Sequence, residues 1–150
     1  MSPALESRYK YGMLGAGAVG KSLIGRLPTR ARDLGPVSAV SFRLASRIAN
    51  TLRAGYPVRK MDELNDAAVI LFHAPPEQAG VLLELLERAE ISWEGKALIF
   101  CDCGDAPSFR VRVQAMGAST ASARQFGIPG HIAVEGNGAA LNAARRIARD

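Results

Sequence analysis

A short apolar segment, Tyr9–Leu14, runs directly into Gly15-Ala16-Gly17-Ala18-Val19-Gly20-Lys21-Ser22. Glycines at this spacing suit a strand that ends in a tight turn and re-enters as a helix. Backbone N–H groups at that helix start then point at phosphate oxygens. The segment fits two motifs at once. As G-x-G-x-x-G it is the dinucleotide fingerprint, and as G-x-x-x-x-G-K-S it is a nucleotide-triphosphate P-loop with Lys21 on the phosphates and Ser22 on Mg²⁺. The remainder of the chain has to choose between them.

The order of elements narrows the choice of fold. The spacing predicts a helix over 18–27, with Val19, Leu23, Ile24 and Leu27 on one face and Pro28 stopping it. Thr29–Pro36 reads as a charged loop and Val37–Phe42 as a second strand. Ala45–Ala54 reads as a helix closed by Gly55. Tyr56–Arg59 is a short strand and Met61–Asp66 a turn of helix. Ala67–His73 and Ala97–Cys101 are apolar almost throughout, as expected of strands covered on both faces. Pro75-Pro76 opens a helix with Val81, Leu82, Leu85 and Leu86 on its apolar stripe. Pro107–Met116 is helical, Ala118–Ser122 and His131–Val134 are strands, and Gly138–Arg149 is a closing helix. Strand and helix alternate throughout. The expected fold is therefore α/β, a doubly wound and mostly parallel sheet of the NAD(P)-binding Rossmann type, in one domain over 1–150.

At 150 residues and 48% hydrophobic content, such a chain buries roughly 68–70% of its unfolded surface. No apolar run approaches the roughly 20 residues of a membrane span, and Met1–Lys10 carries no apolar signal segment. The expectation is a cytoplasmic protein with no membrane association. The net charge of +5 favours anionic ligands, but the arginines are scattered and aromatics few, a weak nucleic-acid footprint. Two cysteines, Cys101 and Cys103, make no disulfide framework.

A dinucleotide reading gives each glycine a task. Gly15 makes the turn, Gly17 lets the backbone approach the pyrophosphate, and Gly20 lets helix and strand pack closely. It also looks for a carboxylate after the second strand, to hold the ribose 2′-OH of NAD. None stands between Asp33 and Asp62; Ser41, Arg43 and Arg47 do. Cations without a carboxylate suit the 2′-phosphate of NADP, so NADP is expected over NAD. The P-loop alternative finds an apolar strand ending at Asp102. It lacks an N-K-x-D stretch for guanine and a D-x-x-G after Asp102.

With those residues in place, the chain resembles the N-terminal Rossmann domain of the pyrroline-5-carboxylate reductase-like and 6-phosphogluconate dehydrogenase-like superfamily. Within it the chain is most similar to an uncharacterised group of Rossmann-like oxidoreductases, whose relatives include deazaflavin-dependent NADP oxidoreductases. Gly15–Gly20, Arg43, Ala68–Pro75, Cys101–Gly104 and His131–Gly136 with Ala139–Ala148 carry the likeness. It implies a dinucleotide held by Gly15, Ala16, Gly17, Ala18, Val19, Gly20, Ser41 and Arg43, with His73, Ala74, Pro75 and Cys103 near the riboses. It also implies a helical C-terminal domain that supplies dimer contacts and substrate wall, for which no residues follow Asp150. A homodimer or a second chain is then expected to complete the site. Ala123-Arg124-Gln125-Phe126 reads as a turn without the family's His-Pro pair. The likeness carries over cofactor binding and no substrate. An oxidoreductase, a non-catalytic nucleotide sensor and a P-loop NTPase using Gly15–Ser22 stay open.

Other chemistry in the chain is sparse. Cys101, Asp102, Cys103 and Asp105 with His73 and His131 can be drawn as a metal site, but zinc sites show two spaced ligand pairs. Strand-end thiols and no metal are the expectation. Cys103 is a reactive thiol only if its pKa is lowered. His73 stands at a strand end, where it either bonds a nicotinamide ribose, donates a proton or fills the crevice. Glu77 serves its helix dipole. Trp93 packs in the turn before the fifth strand. No catalytic residue is assigned.

Overall fold

The structure, a computed structural model, describes residues 9–15, 34–101, 106–125 and 132–149. Among the described residues seven strands form one sheet: β1 Tyr9–Gly15, β2 Leu34–Ser38, β3 Tyr56–Pro57, β4 Ala67–His73, β5 Ala97–Cys101, β6 Ser119–Gln125 and β7 Ile132–Gly136. Their spatial order is β3-β2-β1-β4-β5-β6-β7. The first six run parallel, and β7 joins the β6 edge antiparallel. The order 3-2-1-4-5-6 is that of the dinucleotide-binding doubly wound fold. The chain has the expected α/β, Rossmann-like architecture.

Helices α1 Phe42–Leu52, α2 Pro76–Arg88, α3 Ala106–Gln114 and α4 Gly138–Arg149, with a 3-10 helix at Met61–Asp66, cover the sheet. Successive strand residues point to opposite faces, so the interior divides in two. On one face Tyr11, Met13, Val69, Leu71 and Ile99 pack with Ala45, Ile48 and Ala49 of α1 and Ala140, Ala143 and Ala144 of α4. On the other, Leu14, Ile70, Phe72, Leu98 and Phe100 pack with Leu82, Leu83 and Leu86 of α2 and Val113 of α3. The rings of Phe72 and Phe100 meet at 5.1 Å, across the β4–β5 boundary. Trp93 is buried in this second layer, as expected.

One strand differs in place from the expectation. The second strand occupies Leu34–Ser38: it keeps Val37 and Ser38 of the expected Val37–Phe42, starts three residues earlier in what was expected as loop, and leaves residues 39–42 out of the sheet. Gly35-Pro36 reads as a loop because proline has no N–H for a ladder. The structure absorbs it in a register irregularity: Tyr11 and Met13 of β1 face Leu34 and Val37, so three steps on β2 match two on β1. A bulge is where a sheet tolerates proline. At the far edge, Ala123–Gln125 is not a turn but the end of β6, paired with Cys101 on one side and Ile132–Val134 on the other.

Opposite the carboxyl ends, the buried Lys96 ties two strands together. Its Nζ donates to the carbonyls of Asn65, at 2.7 Å, and Ala67, at 2.8 Å. Burial pushes its pKa below the ordinary lysine value, with the charge of Asp66 pulling it partly back. The unfolded chain therefore holds this proton to higher pH than the folded one, and the Lys96 contribution to stability rises as pH climbs toward the ordinary value. Lys96→Met strands two carbonyls and is expected to cost about 1–3 kcal/mol. Urea denaturation of both proteins between pH 8 and 10.5 checks this: the variant should be less stable, and the gap should widen with pH.

Candidate functional site

The site lies at the carboxyl ends of the parallel strands. After β1 the chain places β2 on one side and, later, β4 on the other, so a crevice opens where the winding reverses. The last residues of the two central strands, Gly15 and His73, are direct register partners. A Cβ on Gly15 would come 2.9 Å from Met13 Cε and 3.0 Å from Ile48 Cδ1. The absent side chain lets α1 pack close against the strand end and leaves backbone, not side chain, at the crevice.

His73 is half-buried, and its Nδ1 lies 2.9 Å from the carbonyl oxygen of Cys101, the last residue of β5. A carbonyl only accepts, so Nδ1 carries the hydrogen, and in the neutral ring Nε2 holds the lone pair. The bond ties the ends of β4 and β5 and gives the ring a defined tautomer. Ala74 is buried and Pro75 half-buried, and the Pro75 carbonyl accepts from the amides of Gln78 and Ala79 to start α2. Glu77, exposed, supplies a negative charge in that first turn.

A second cluster lies beyond β2. Ser38 ends the strand, Ala39 and Val40 follow, and Ser41 caps α1 in extended conformation, its Oγ accepting from the Leu44 amide at 3.1 Å. Arg43 is the second residue of α1 and is exposed; the first turn holds no acidic residue. Arg47 is exposed a turn further on. Two residues past the neighbouring β3, the exposed Arg59 brings its guanidinium carbon to 4.1 Å from the Phe42 ring centre. A groove of about 320 Å³ opens beside them, with Ala39, Val40, Arg59, Met61, Asp62 and Leu85 in its wall.

Of the residues named from the sequence, Ser41 and Arg43 stand at the start of α1, beyond the end of β2, and His73, Ala74 and Pro75 run from the end of β4 to the start of α2. Ala16, Gly17, Ala18, Val19, Gly20, Lys21, Ser22, Asp102, Cys103, Asp105 and His131 lie outside the described residues. Cys101 is buried, with its thiol 3.7 Å from the Ile99 carbonyl. Among the described residues no three metal-binding side chains stand together. No described helix is long and apolar enough to cross a membrane. Two features escaped the sequence reading. Arg59 reaches the site only because β3 pairs with β2. The His73–Cys101 bond joins residues from separate strands. The signal that was available, Ser41 three residues ahead of Leu44, marks a helix cap.

No protein-family model matches the sequence, and no curated protein matches it. Solved structures do match in shape. A reductive aminase from Aspergillus terreus, in complex with NADPH and ethyl levulinate, superposes over 94% of this chain and 51% of its own, with a TM-score of 0.69 at 14% identity. A variant imine reductase from Myxococcus stipitatus, in complex with NAD+, superposes over 93% and 50%, with a TM-score of 0.67 at 16% identity. An imine reductase from Pseudomonas sp. superposes over 93% and 51%, with a TM-score of 0.68 at 18% identity. The chain spans about half the length of these structures, and at such identities the likeness is one of fold.

Proposed function

We propose that this chain binds NADP(H) across the carboxyl edge of its sheet and belongs to an oxidoreductase of the reductase-like superfamily. One observation carries the reading: the glycine fingerprint begins at Gly15, the register partner of His73 at the point where the strand order reverses. That is where doubly wound sheets take ligands. The residues fit the group. The segment after β2 offers Ser41 and Arg43, with no carboxylate in the first turn of α1. That donor set suits a 2′-phosphate and offers a ribose diol no carboxylate. Similarity of shape to enzymes solved with NADPH and NAD+ supports a nicotinamide dinucleotide.

In this reading Gly15–Gly20 hold the pyrophosphate, and Ser41 and Arg43 the 2′-phosphate. His73, Ala74, Pro75 and Cys103 border the nicotinamide ribose. The bound cofactor would supply hydride for an imine, a carbonyl or a deazaflavin. His73, with Nδ1 committed to the Cys101 carbonyl, can accept a ribose hydroxyl proton at Nε2. A second copy of the chain, or another chain, would provide a covering wall that excludes water from the nicotinamide face.

A thermal-shift panel tests the reading. NADPH, NADH, ATP and GTP are each added with and without Mg²⁺, since a ligand of the native state stabilises by RT ln(1 + [L]/Kd). At 100 times Kd, NADPH should add about 2.7 kcal/mol with or without metal. A response only to a triphosphate with Mg²⁺ would replace the dinucleotide by the P-loop reading. NADPH binding with no NADPH oxidation over a panel of imines, carbonyls and deazaflavins, by the chain as a dimer, would leave a non-catalytic nucleotide-binding module or a site completed by another chain.

A further inference from the structure

We propose that Arg59 is a second specificity-determining cation, meeting the 2′-phosphate of the bound dinucleotide from the β3 side while Arg43 meets it from α1. The inference rests on the NADP(H) reading above and extends it to a residue outside the glycine turn and the segment after β2.

Three observations place Arg59 there. The first is register. Pro36 and Val37 of β2 pair with Tyr56 and Pro57 of β3, and the Val58 amide donates to the Val37 carbonyl at 2.9 Å. Continued by two residues, this parallel ladder brings Arg59 level with Ala39, beside the turn that leads into α1. The second is the ring contact. Phe42, the first residue of α1, lies under the guanidinium at 4.1 Å. Arg43 is the next residue, so the stacked cation is held on the turn of helix that carries the other arginine. Stacking on an aromatic face leaves the N–H edge of a guanidinium available for an anion.

The third observation is charge. Among the described residues no carboxylate lies within ion-pair distance of Arg59. The other arginine on the groove, Arg88, is paired with Glu84 at 2.7 Å. Glu63 is turned back onto the Lys60 amide, where it caps the 3-10 helix. Asp62 also lines the groove; the ligand group that suits a carboxylate there is the exocyclic amine of adenine. The volume of about 320 Å³ is at the small end of ligand pockets, which run roughly 300–1,000 Å³. It has room for one end of a dinucleotide.

Calorimetric titration of the whole chain with NADPH and with NADH tests the assignment. Wild type, Arg59→Ala, Arg59→Glu and Arg43→Ala are compared, with far-UV circular dichroism to show each is folded. Arg59→Ala should weaken NADPH about tenfold and change NADH by less than about twofold, since a charge-assisted bond to phosphate is lost. Arg59→Glu should go further and bring NADPH to or below NADH. The wild-type preference should shrink with added salt, because the contact is exposed. If Arg59→Ala and Arg59→Glu keep the full NADPH preference while Arg43→Ala loses it, the assignment of Arg59 is overturned and the dinucleotide reading stands. If the wild type binds both dinucleotides equally, 2′-phosphate recognition fails as a whole. If it binds neither, the dinucleotide reading falls and Arg59 with it.

Discussion

Gly17→Val should weaken NADPH binding by about 100-fold, equivalent to about 2.7 kcal/mol, and leave the fold in place. Gly15 ends β1 level with His73, so the chain leaves the sheet at the crevice itself. Gly17 is two residues further, at the second glycine of the fingerprint, where backbone has to come within hydrogen-bond reach of the pyrophosphate. In a fingerprint turn an isopropyl group at that position would stand between the amides and the phosphate oxygens. Overpacking of this kind costs about 1–3 kcal/mol even before hydrogen bonds are lost. The variant and the wild type are titrated with NADPH, and their unfolding is compared without ligand. Equal affinities would remove the fingerprint reading. Magnesium-dependent ATP or GTP binding that is lost in Lys21→Ala would install the P-loop in its place.

Gly136→Ala should cost about 3 kcal/mol of stability, the largest loss expected from a single added methyl group among the described glycines. Gly136 ends β7 at a φ of +152°, and a Cβ there would lie 2.5 Å from both Ala121 Cα and the Thr120 carbonyl oxygen. Those are backbone atoms of β6, a strand paired on both sides, so neither can move without shifting the ladder. The next residue, Asn137, donates its amide to the Thr120 carbonyl and accepts from the Thr120 amide at Oδ1. The Ser119 hydroxyl accepts from Ala140 in the first turn of α4. Strand, turn and helix cap are thus fastened to one short stretch of β6. At this size a loss of that order lowers the melting midpoint by roughly 10 °C. Thermal and urea unfolding decide it; an unchanged midpoint would mean that β7 and β6 do not approach as closely as described.

The effects of these two substitutions differ in kind, and so does how far each was legible. Gly17 stands out in the sequence because spacing alone defines the fingerprint. Gly136 does not: its need for glycine comes from Thr120 and Ala121, about fifteen residues away and brought close by pairing.

The same division runs through the fold. β4 and β5 were legible to the residue, because a strand buried on both faces must be a continuous apolar run, and Ala67–His73 and Ala97–Cys101 are such runs bounded by turn residues. The 3-10 helix at Met61–Asp66 and α4 at Gly138–Arg149 were legible too. β2 was legible only at Val37–Ser38, since Gly35-Pro36 carries the local signature of a loop and only strands on both sides turn it into sheet. β6 was read short, ending at Ser122, because Arg124 and Gln125 carry no apolar signal for a strand; neighbours on both edges supply the hydrogen bonds that extend it. In the proposed site, Gly15–Gly20, Arg43 and His73 were named from local order along the chain. Arg59 beside Phe42, and His73 on the Cys101 carbonyl, are meetings between separate elements. Periodicity and turn chemistry report which element a residue occupies. Which elements become neighbours is decided by strand pairing and burial, and those are properties of the assembled sheet.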